Sequence, residues 1–162
     1  MAVKVSASAS KPVDFFHLAA QTVRDNGSSE AALRTAISRA YYAVLLATRD
    51  KLFGPDGLRL TGPIRKQLGK KFGVKTKRNP GSHDLIIFAI TDVEKTATLN
   101  PLTLSQQLGQ LKEARVHADY HFAEDNLEDI PKADWREYAV ENVTLASQLL
   151  PMAEGLPSDP HS

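Results

Sequence analysis

An arginine interrupts an otherwise apolar seam in the second half of the chain. Leu104, Leu108, Leu111, Arg115, Ala118 and Phe122 step by 4, 3, 4, 3 and 4 residues, a regular heptad stripe on one helix face. At roughly 100° per residue, Arg115 points close to the centre of that face. An isolated buried charge is costly, so this guanidinium needs a carboxylate, a partner subunit or a cleft. Asp119, four residues on, is within reach for an ion pair on the same helix. His121 lies at the other edge of the stripe, roughly 120° around from Arg115 on a regular helix. The two groups converge only if the helix ends or bends there, or if a second copy brings its own pair across a two-fold axis.

Each of these residues also has a plainer reading. Arg115 and Asp119 make an ordinary structural ion pair, and His121 beside Phe122 reads as a surface histidine. His117 and His121 are four apart, the spacing of two metal ligands on one helix. Asp119 between them faces elsewhere and no third ligand is in view, so no metal site is expected. Tyr41 and Tyr42 read as core and interface packing, and His83 as a helix-start residue. The stretch Arg65 to Arg78 holds Arg65, Lys66, Lys70, Lys71, Lys75, Lys77 and Arg78 without an acid. Such a run is either a solvated loop or a weak RNA-phosphate contact through Lys70, Lys71, Lys75, Lys77 and Arg78. The acidic stretch Glu124 to Asp129 would repel RNA. No Gly-rich phosphate loop, serine elbow or paired-carboxylate motif occurs, and no cofactor is expected.

Five segments of helical period must position these groups. The first starts at Pro12, with Ser10 as a candidate cap, and carries Phe15, Phe16, Ala19 and Val23 before Asn26-Gly27 stops it. The second opens after Ser28-Ser29 and aligns Leu33, Ile37, Ala40, Val44 and Ala47 before Gly54-Pro55. The third starts near Ser82, with Leu85, Ile86, Ala89, Ile90 and Val93 as its stripe. Pro101 separates it from the fourth, which carries Arg115. The fifth begins at Asp134, where Asp134-x-x-Glu137 resembles a capping box, and aligns Trp135, Tyr138, Ala139, Asn142, Leu145, Ala146 and Leu149. A Gly- and Lys-rich region, Gly54 to Gly81, has room for one short helix around Ile64 to Leu68. No alternating strand pattern or internal repeat competes. The expected fold is therefore all-α, an up-and-down bundle of about five helices over residues 12–150. Residues 1–11 and 151–162 read as loose tails.

Composition is compatible with this. A chain of 162 residues fits one domain, and 42% hydrophobic residues suffice for one core. The formal net charge of +1 gives no global argument for nucleic acid or an acidic partner. The absence of cysteine excludes disulfides and thiol chemistry. No window approaches the roughly 20 apolar residues that span a bilayer. A cytoplasmic protein without a membrane partner is expected.

Two of these segments resemble a known family. ISRAYYAVLLATRDKL looks like the arginine-alanine-tyrosine-tyrosine-alanine signature of HEPN domains, and EARVHADYH looks like that family's second signature. Gly81 to Asp84, reading GSHD, resembles the entry to the family's third helix. The resemblance spans about Glu30 to Phe122. It implies a small helical bundle that commonly dimerises. In active members it implies a metal-independent ribonuclease, whose motif is an arginine, four to six residues, then a histidine, met by a second copy at the dimer interface. Arg115 and His121, with five residues between them, match that spacing. By the resemblance His121 would exchange a proton with the ribose 2′-hydroxyl or the leaving oxygen. Arg115 would stabilise the extra negative charge on the phosphate. Asp119, Tyr120 and His117 would support them.

The match has departures. Val116 follows the arginine where active members usually carry a polar residue. Many members of the alanine-aspartate-tyrosine branch lack the catalytic histidine. Some relatives are toxins silenced by a nucleotidyltransferase antitoxin that adenylylates a tyrosine near the motif histidine. Here Phe122-Ala123 follows His121, and the nearest tyrosine is Tyr120, on the other side. Two expectations therefore stand. One is a homodimeric endoribonuclease of toxin or defence type, with RNA as substrate and a nucleotidyltransferase-type antitoxin as a candidate partner. The other is an inert HEPN-like module for dimerisation, partner binding or RNA binding.

Overall fold

The computed structural model describes residues 11–73, 81–96, 103–120 and 134–158, with backbone alone at Thr96, Thr103 and Tyr120. Six α-helices run in order: α1 (Pro12–Arg24), α2 (Glu30–Phe53), α3 (Gly62–Lys71), α4 (Ser82–Thr96), α5 (Thr103–Tyr120) and α6 (Trp135–Glu154). The described residues contain no strand.

The long helix α2 is the axis of the bundle. Ser29 caps its start, its hydroxyl accepting from the Ala32 N–H at 3.2 Å. Gly54 ends it at φ 78°, in a region that suits glycine. Helices α1, α5 and α6 all pack on α2. Twelve of its 24 residues are buried, and they are not confined to one stripe. Ala36, Ile37, Ala40, Tyr41, Ala43 and Val44 are all fully enclosed. A helix covered on several sides loses the two-faced pattern of a surface helix. The expected stripe Leu33, Ile37, Ala40 and Val44 is buried, but it is only part of what α2 buries, and Ala47 lies at its half-exposed edge.

The stripes of the other helices follow their periodicity. Leu85, Ile86, Ala89, Ile90 and Val93 of α4 join Leu104, Leu108 and Leu111 of α5 in the main core. A smaller cluster sits at the start of α2, where Leu33 and Ile37 meet Ala114 and Ala118 of α5 and Ala139 of α6.

Two expectations are refined. The described residues hold the five expected helices and the short one for which the Lys-rich region had room, which is a full element of ten residues. Pro63 in its first turn starts α3, Leu68 is buried, and Phe72 just beyond stacks on Phe88 of α4 at 4.8 Å. Its weak apolar pattern hid its length. The last helix does not end at Pro151 but runs to Glu154. Pro151 is exposed and Ala153 beyond it is fully buried, so continued packing outweighs the backbone bond that proline removes.

Side chains fix the helix ends that matter for α5. Glu94 of α4 reaches the start of α5, accepting from the N–H of Leu104 at 2.8 Å and from the Ser105 hydroxyl at 2.6 Å. At the other end Arg34 of α2 donates Nε–H to the Ala118 carbonyl at 2.9 Å. These contacts satisfy terminal groups that a helix cannot pair internally. Arg136 of α6 does the same for α1, donating to the carbonyls of Val23 and Asp25, both at 3.0 Å.

Candidate functional site

With α5 held at both ends, its seam turns Leu104, Leu108 and Leu111 into the core and leaves Arg115 one turn further, at the core's edge. The Arg115 side chain is 17% exposed. Its Nε lies 2.6 Å from Oδ2 of Asp119, the i,i+4 pair that the spacing allows. The other carboxylate oxygen of Asp119 accepts from the Ser38 hydroxyl of α2 at 2.5 Å. The guanidinium carbon lies 5.6 Å from the ring centre of Tyr42, within cation–π range.

Tyr42 connects this arginine to a histidine. The His83 ring stands edge-on to the Tyr42 ring, centres 5.7 Å apart. Its Nδ1 is 3.0 Å from the Tyr41 hydroxyl. Tyr41 is fully buried and makes no other described hydrogen bond, so the pair fixes the imidazole's orientation. Lys112, one turn before Arg115, pairs with Asp84 at 2.5 Å. Three helices thus bring together Ser38, Tyr41 and Tyr42 of α2, His83 and Asp84 of α4, and Lys112, Arg115 and Asp119 of α5.

The electrostatics of the cluster favour neutral forms of its two central groups. Burial lowers the His83 pKa below the ordinary histidine value, and the positive charges of Arg115 and Lys112 lower it further against the opposing pull of Asp84. Burial also raises the Tyr41 phenol, with Tyr42 and Asp84 adding to the rise and Arg115 opposing it. Near neutral pH the site therefore presents a neutral imidazole beside a permanent cation. That combination can take a proton and steady a nearby anion.

The expected site residues divide into three groups. Arg115 and Asp119 are brought together. His117, two residues from Arg115 and so on the far side of α5, is half-buried there. His121, the Tyr120 side chain, Lys75, Lys77 and Arg78 lie outside the described residues, as do Ser10, Phe122 and the acidic stretch. Of the remaining basic run, Lys70 is exposed at the end of α3 while Lys71 pairs with Asp92 of α4. Arg65 is bound to the Leu60 carbonyl at 3.1 Å. Among the described residues no group of three or more His, Asp or Glu is placed to share a cation, and no helix is long and apolar enough to cross a membrane.

His83 is the functional candidate that sequence reasoning missed. It is the second residue of α4, as a helix-start reading expects, but its partners come from α2 and α5. The available signal was the tandem Tyr41-Tyr42, which puts two aromatic rings on adjoining faces of one helix. Comparison with family models, curated proteins and solved structures gives no match for this chain. The site is accordingly read on its own geometry.

Proposed function

We propose that this chain is a HEPN-type bundle that cleaves RNA without a metal, as a homodimer with Arg115 and His121 contributed by each copy. The observation that carries the reading is the setting of Arg115. It is half-buried at a core edge, oriented through Nε by Asp119, backed by Tyr42, and next to a neutral histidine. The sequence segments with the family resemblance, in α2, at the start of α4 and in α5, are the ones that meet here. In the reaction the ribose 2′-oxygen attacks phosphorus and the bond to the 5′-oxygen breaks. The products are a 2′,3′-cyclic phosphate and a 5′-hydroxyl. Arg115 holds the negative charge on the phosphoryl oxygens, and His121 exchanges a proton with the reacting oxygens.

One observation favours the second reading, an inert HEPN-like dimerisation or binding module. The Arg115–Asp119 pair closes within a single chain and needs no substrate. Incubation with single-stranded RNA in excess chelator separates the two. The ribonuclease reading expects cyclic-phosphate ends, and a loss of about 10²–10³-fold in Arg115→Ala. Equal background cleavage by wild type, Arg115→Ala and His121→Ala would leave the inert module standing.

A further inference from the structure

Transesterification of RNA requires two proton transfers. A base takes the proton of the 2′-hydroxyl, and an acid gives one to the departing 5′-oxygen. We propose that His83 is the base, with Tyr41 as its positioning residue. The inference rests on the ribonuclease reading and extends it to a residue outside the arginine–histidine motif.

The geometry that points to His83 has three parts. First, the ring is fixed. Nδ1 is engaged by the buried Tyr41 hydroxyl at 3.0 Å, and the ring packs against both Tyr41 and Tyr42, centres 5.6 and 5.7 Å away. No described residue takes Nε2, which leaves that nitrogen for a ligand. Second, His83 and Arg115 flank the same Tyr42 ring. The guanidinium carbon and the imidazole lie 5.6 and 5.7 Å from its centre, so a phosphate held at Arg115 and a base at His83 would share one aromatic ring as their floor. Third, the charged groups facing His83 are Lys112 and Arg115 of α5 and Asp84 of α4, with the phenols of α2 behind it. Burial first, and then two cations against one carboxylate, favour the unprotonated imidazole, which is the form a base needs.

The step balances without a further reactant. Nε2 of His83 takes the 2′-hydroxyl proton as the P–O2′ bond forms. The P–O5′ bond breaks, and the 5′-oxygen leaves with a proton from His121. The two histidines then return to their starting forms by exchange with water.

The test uses the full chain, a fluorescent single-stranded RNA oligonucleotide and chelator, over about pH 5 to 8. Wild-type cleavage should show an acidic limb with its midpoint below the ordinary histidine value. His83→Ala should lower cleavage about 10²–10⁴-fold and His83→Asn should abolish that limb. Tyr41→Phe should keep the fold and displace the limb, which a structural role for His83 does not explain. Circular dichroism of each variant checks folding. If His83→Ala unfolds, the displacement in Tyr41→Phe decides, and an unmoved limb there rejects the role. Wild-type cleavage undiminished in a folded His83→Ala overturns the assignment of His83 alone. Absence of cleavage by wild type overturns the ribonuclease reading and the assignment together.

Discussion

Two arginines lie at the same end of α5, each paired with a carboxylate on its own helix and each over an aromatic ring, yet they are tied to the fold differently. Arg34 is 5% exposed, donates to the Ala118 backbone carbonyl and to the Glu30 carboxylate at 3.2 Å, and lies 4.8 Å from the ring centre of Trp135. Arg115 is more open and is bound through a side-chain carboxylate. A carbonyl at a helix end has no other way to be satisfied once it is buried. Asp119 is shared between Arg115 and the Ser38 hydroxyl of α2. Both arginines hold a carboxylate four residues away, and what sets Arg34 apart is its deeper burial and the backbone carbonyl it satisfies on another helix.

The comparison is best attacked at Arg34. Arg34→Met should cost roughly 2–3 kcal/mol in urea unfolding, since it strands the Ala118 carbonyl and removes the contact with Trp135. A cost below about 1 kcal/mol would show that the clamp is dispensable. Glu94 sharpens the same idea at the other end of α5. Glu94→Ala leaves the first turn without its acceptor, and a loss of about 1–2 kcal/mol is expected by the same measurement. Arg115→Met should then cost no more than about 1 kcal/mol, because its pair with Asp119 is partly screened by solvent. A loss as large as that of Arg34→Met would erase the distinction between the two.

The smallest effect is the pH dependence contributed by His83. Its folded-state pKa lies below the unfolded value, so protons bind the unfolded chain more readily. Above the unfolded value both states are neutral and the group has no effect on stability. As pH falls through about 6.5, stability is lost, and the loss levels off below the folded-state pKa. The melting temperature of His83→Asn should therefore fall less on acidification than that of wild type. Parallel curves would show that His83 titrates normally.

Sequence periodicity was informative where a helix has one buried face. The α5 seam could be followed through Leu111 to Arg115, and the carboxylate at i+4 was its partner. It was uninformative for Arg34, which stands among buried residues on a helix wrapped on several sides. There, apolar spacing no longer tells inside from outside. It was also silent on His83, because a helix-start position says nothing about which helices cross above it. The limits are physical: periodicity reports one helix against its surroundings, while the candidate site is made by three helices meeting.

Arg136 has a consequence for the order in which the molecule is built. It joins the beginning of the last helix to the carbonyls that end the first, more than 100 positions earlier. The central helix likewise waits for α6 to cover it. During synthesis, the five described helices before α6 leave the ribosome first, and three of them, α1, α2 and α5, pack against it. Closure of such distant contacts is slow relative to helix formation, and the interval leaves apolar surface uncovered. Until α6 is made, the surfaces of α1, α2 and α5 that it covers stay open to water.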